Sequence, residues 1–208
     1  MTHEQAQSLK DDIAYMRALA EEGRKTPLLG GAILVTAGLV FGLASVAHWA
    51  VVADVLDVGM EVLAGIWLAA MVVFIGALVV LNAKLARKPG ARSPANRAAG
   101  AAWGAVGGAV FVLAVSMGFV AWRTQSDVAA YLFPSVILAL YGTGWAVSAT
   151  MSERRWMRTV AIGSWIGAPA VAWLTGSPTQ YLAYAAALIL FAFVPGLVMM
   201  REEPSEIV

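Results

Sequence analysis

Apolar residues in this chain do not alternate with polar ones. They run together in six long blocks, residues 28–52, 58–85, 98–122, 128–150, 157–175 and 181–200, divided by short polar stretches. A half-buried strand would alternate with period two, and a surface helix would show a polar residue every third or fourth position. A block of about 20 apolar residues is instead what a helix needs to cross a hydrocarbon core. Within oil, only a helix or a closed barrel satisfies its own backbone hydrogen bonds. The pattern therefore predicts an all-α polytopic membrane protein, a bundle of six transmembrane helices with the fifth the shortest. Thr26 then Pro27, Ser93 then Pro94, and Ser177 then Pro178 each place a capping hydroxyl before a first-turn proline, marking helix starts.

Ahead of the first block the pattern changes. Leu9, Ile13, Met16 and Ala20 recur at helical spacing among charged residues, Thr2 with Gln5 fits a capping box, and Gly23 suits a left-handed helix end. This predicts an amphipathic leader helix within residues 1–26, a membrane domain over 27–200 and a short tail over 201–208. The first apolar block exceeds the roughly 7 to 15 residues of a signal-peptide core, so it reads as a retained span. The leader's carboxylates, Glu4, Asp11, Asp12, Glu21 and Glu22, outnumber Lys10 and Arg17. A helix that lies on an anionic membrane surface is usually rich in Lys and Arg on its polar face. Two readings therefore stand: the leader folds back on the basic loop of residues 84–97, or its stripe of Leu9, Ile13, Met16 and Ala20 fills a groove on a cytoplasmic protein.

Charge assigns the sides. Of the 14 Lys and Arg residues, only Arg123 falls in the loops opposite the termini. The positive-inside rule then places both termini in the cytoplasm, in a cell membrane of the bacterial inner-membrane kind. The same rule accounts for the basic 84–97 loop with no nucleic acid as partner, and that loop also suits anionic membrane lipid.

Composition narrows the chemistry. The chain is 60% hydrophobic and 13% charged, with no cysteine, which removes disulfides, thiolate metal sites and cysteine nucleophiles. No Asp, Glu, Lys or Arg lies in the interior of a block, whereas ion-coupled transporters, pumps and voltage sensors generally keep one at membrane depth. His3 and His48 are the two histidines, so haem held between two intramembrane histidines of one chain is excluded. No metal-ligand spacing or phosphate-cradling loop is present. No catalytic residue, cofactor or metal is assigned.

Small residues and prolines give the remaining candidates. Gly38 with Gly42, Gly100 with Gly104 and Gly108, and Gly163 with Gly167 sit four apart and predict close helix packing, within the chain or between copies in a homo-oligomer. Pro134, Pro169 and Pro195 interrupt later blocks and predict kinks. His48, Pro134, Thr143 and Pro169 are candidates to line a central cavity.

The functional expectation is a non-enzymatic membrane protein that acts by interaction, as a regulatory, sensory or accessory subunit signalling through its N-terminal helix. One alternative is a facilitative carrier or channel for a small neutral or hydrophobic solute. A weaker one is a membrane-surface hydrolase built on Ser45, His48 and Asp57, which no nucleophile-elbow pattern supports.

Overall fold

In the structure, a computed structural model, residues 7, 10, 12–16 and 27–203 are described. Six long helices follow the predicted blocks: α1 (Gly31–Val52), α2 (Val62–Leu85), α3 (Pro94–Thr124), α4 (Val128–Ser152), α5 (Arg155–Trp173) and α6 (Thr179–Glu202). No strand occurs among the described residues. Five of the six helices are long and apolar enough to cross a membrane, α5 being the exception. It has 19 residues and opens on Arg155 and Arg158, so its apolar part starts a turn late.

Helix starts follow the sequence in one case of three. Ser93 caps α3 as expected, its hydroxyl accepting from the Asn96 amide at 3.2 Å, with Pro94 in the first turn. Pro27 does not open α1. Residues 27–30 are irregular and the helix begins at Gly31, behind Gly30 at φ 117°. The Ser177 hydroxyl turns to Thr179, and no side chain caps α6.

α4 packs most extensively on α5, and α3 lies against α4. α1 is gripped between α6 and α2, while α2 reaches the bundle chiefly through α1 and buries Ala70 alone. Consecutive helices α2 and α3 thus attach to different partners. One apolar core, around Leu34, Trp145, Ala149, Met157 and Met199, fills the end of the bundle that carries residues 27–31, the 86–93 loop and Glu203. Lys88, Arg154 and Arg201 make this the basic end of the bundle. A second core, around Leu138, Val171, Tyr184 and Leu188, fills the other half.

α6 is not uniform. Residues Ile189–Phe193 form a π-helical turn, followed by Pro195. Where α6 passes α1, glycine allows backbone to touch backbone: a methyl group on Gly31 would sit 2.5 Å from the Gly196 carbonyl oxygen, and one on Gly196 would sit 2.8 Å from the Gly31 oxygen.

Candidate functional site at the base of the first helix

The first N–H groups of a helix have no partner within it, and a Ser, Thr, Asp or Asn side chain usually supplies one. α1 is preceded by Gly30, and among the described residues no such side chain next to it makes a cap bond. Its acceptor comes from the other end of the chain. Glu203 Oε1 accepts from the Gly30 amide at 3.1 Å and the Gly31 amide at 3.0 Å, and Oε2 accepts from Lys88 Nζ at 2.5 Å. The Glu203 side chain is 3% exposed. A carboxylate at a helix N-terminus is favoured by the helix dipole and makes charge-assisted hydrogen bonds. The close Gly31 and Gly196 approach lets the end of α6 deliver that carboxylate.

A second clamp holds the residues just before. Asn96 Oδ1 accepts from the Leu29 amide at 2.7 Å, and Asn96 Nδ2 donates to the Pro27 carbonyl at 3.1 Å and the Gly90 carbonyl at 3.0 Å. Asn96 is buried in the first turn of α3, positioned by the Ser93 cap. Leu28 packs beneath with Ala95, Ala99 and Met199. Beside these, Arg154 reaches Glu202 at 3.4 Å across an exposed surface. The segment that joins the leader to α1 is therefore bound by α3 and by the end of α6, whose Asn96 and Glu203 are held in turn by Gly90 and Lys88 of the 86–93 loop. Both oxygens of Glu203 are engaged, so the site suits holding a geometry.

Of the leader candidates, Ile13 and Met16 fall within the described residues, in a helical stretch, and are 41% and 60% exposed. Leu9 and Ala20 lie outside the described residues, as do Thr2, Gln5 and Gly23. The glycines divide. Gly38 abuts Phe193 backbone, and Gly163 and Gly167 receive the Phe191 ring. Among the described residues, nothing lies within 4 Å of a methyl group placed on Gly42, Gly100, Gly104 or Gly108. The α3 glycine face meets no other helix among the described residues.

The cavity candidates are not brought together. Pro134 is buried, while Thr143 and Pro169 face outward, and the Thr143 hydroxyl donates to its own helix at Ala139. His48 is fixed by α2 and α6: Nδ1 accepts from Trp67 Nε1 at 2.9 Å, and the ring stacks on Tyr181 with centroids 3.6 Å apart. In a Ser-His-Asp arrangement one ring nitrogen faces a carboxylate and the other the nucleophile. Here an indole occupies Nδ1, the Ser45 hydroxyl has no hydrogen-bond partner among the described residues, and Asp54 and Asp57 are exposed in the loop.

Glu203, Asn96 and Lys88 were not among the sequence candidates, nor were Gly31 and Gly196. A signal existed for part of this: a glycine pair opening a helix with no capping side chain demands an acceptor from elsewhere. No family model, curated protein or solved structure matches the chain.

Proposed function

We propose that the chain crosses a bacterial inner membrane six times with both termini cytoplasmic, and works as a non-enzymatic regulatory, sensory or accessory subunit that signals to a cytoplasmic protein through its N-terminal helix. What supports this reading is the clamp at residues 27–31. A leader on a free linker would move independently of the bundle. One whose root is held by Asn96 on α3 and by Glu203 at the end of α6 transmits its displacement to both helices. Coupling between two sites needs such a contiguous physical connection. The exposed Ile13 and Met16 supply the apolar stripe that a partner groove takes up. The carrier alternative draws no support from Pro134, Thr143 and Pro169, which do not converge.

A photo-crosslinking residue at Met16, introduced into the full chain in its native membrane, tests the reading. The expected result is one protein adduct of discrete mass that disappears with Ile13→Asp and persists with Asp12→Asn, which flanks the stripe and leaves its apolar residues in place. Crosslinks to lipid alone, or an adduct indifferent to Ile13→Asp, would remove the leader as the contact.

A further inference from the structure

We infer that the end of α6, residues 194–203, is a hinged lever, latched onto the root of α1 by Glu203, that couples the leader junction to the interior of the bundle. This rests on the junction reading above and gives it a moving part.

The hinge is the π-helical turn Ile189–Phe193 together with Pro195. Such turns replace the i to i−4 bonding of the helix, and the proline lacks the N–H that the Phe191 carbonyl would otherwise receive. That carbonyl is free to leave the helical pattern, and Trp145 Nε1 from α4 binds it at 2.8 Å. Trp145 is fully buried and touches the rings of Trp103 and Trp156, so the pivot is anchored in the middle of the aromatic core. Above the pivot, α6 packs on α1, α4 and α5; below it, the lever packs chiefly on α1.

The latch is the Glu203 carboxylate with its three donors, the Gly30 and Gly31 amides and the Lys88 ammonium. The seat is the glycine crossing, where Gly31 and Gly196 meet without side chains. Contacts between bare backbones in a membrane are dispersion and weak polar contacts, with no hydrophobic force closing them. The latch therefore adds the charge-assisted bonds that hold the lever seated beside Met199 in the basic-end core and the exposed Arg154–Glu202 pair. The groups it engages are those that a shift of residues 27–31 would displace first. A pull on the leader breaks the Glu203 contacts at their shared end, and motion of α6 about its pivot does the same from inside.

The chain holds no cysteine, so single cysteines report on it cleanly. Met199, on the lever, is 3% exposed, and Met157, at the basic end of α5, is 2% exposed. Each is replaced by Cys in the otherwise full chain, in proteoliposomes, and its reaction with a water-soluble maleimide is followed. Glu203→Gln keeps the size of the side chain and removes its charge. It is expected to speed labelling at position 199 by about tenfold or more while position 157 changes little, because local opening exposes the group it frees. Lys88→Met, which removes one donor without touching the lever, is expected to act in the same direction. Equal acceleration at both positions would mean general loosening and overturn the lever, as would unchanged labelling at 199. No partner takes part in this measurement, so it fails or succeeds separately from the leader crosslinking.

Discussion

The Phe191 carbonyl has no backbone donor four residues on, because that residue is Pro195. Trp145 fills the place, and Gln180 Nε2 on α6 donates at 2.6 Å to the Tyr131 carbonyl, one residue beyond the Ala130 carbonyl whose helix donor Pro134 removes. Helix-breaking prolines persist in membrane helices where neighbouring side chains satisfy the freed groups. This accounts for how α6 carries Pro195 without leaving the Phe191 carbonyl bare. Trp145→Phe keeps most of the packing and deletes the donor, so it is expected to lower unfolding stability by about 1–3 kcal/mol, the penalty for a buried acceptor left bare. The loss should shrink in a Pro195→Ala background, where a backbone donor returns. Denaturation of the solubilised protein in a double-mutant cycle measures both, and additive effects would separate the two residues.

At the level of the helix, glycine has two opposite uses here. Gly31 and Gly196 are seats, with neighbouring backbone atoms within 2.8 Å of where a methyl would lie, whereas the surroundings of Gly100, Gly104 and Gly108 are open among the described residues. Gly196→Ala forces α1 and α6 apart and is expected to destabilise by about 1–3 kcal/mol, as overpacking does. Gly104→Ala meets nothing and gains helix propensity, so it is expected to be neutral or stabilising by up to about 1 kcal/mol. Thermal unfolding of the two variants side by side checks the contrast, and a loss at Gly104 as large as at Gly196 would contradict the open face. Spacing alone does not distinguish these cases, since a four-residue repeat says that one face is smooth and not what lies on it. The aromatics divide in the same way: Trp122 and Trp173 are 72% and 90% exposed at helix ends, where a membrane belt would place them, while Tyr181 and Tyr184 are buried in the bundle.

Across the whole molecule, the proposed sidedness makes a plain prediction. Cysteines placed one at a time at Asp57, Asp127 and Ser177 should react with an impermeant reagent from outside the cell, and those at Arg92 and Arg154 only after the membrane is opened. Ser177 labelling from the same side as Arg154 would mean that α5 does not cross. The extent of the helices was legible from the sequence because hydrocarbon imposes a length and a polarity on each segment separately. Residues 128–150, for example, needed no knowledge of their neighbours to be read as the helix Val128–Ser152. Which helices touch was not legible, because lipid tails are as apolar as leucine and hydropathy does not rank one greasy face above another. The clamp was still less so: Gly30 and Gly31 lie more than 170 residues before Glu203, and only folding carries that carboxylate to the start of α1. The sequence determined where the chain is apolar, where it is charged and how long each helix runs; the tertiary structure alone decided how α6 meets α1, because that meeting is fixed by the fit of two bare backbones and one buried charge.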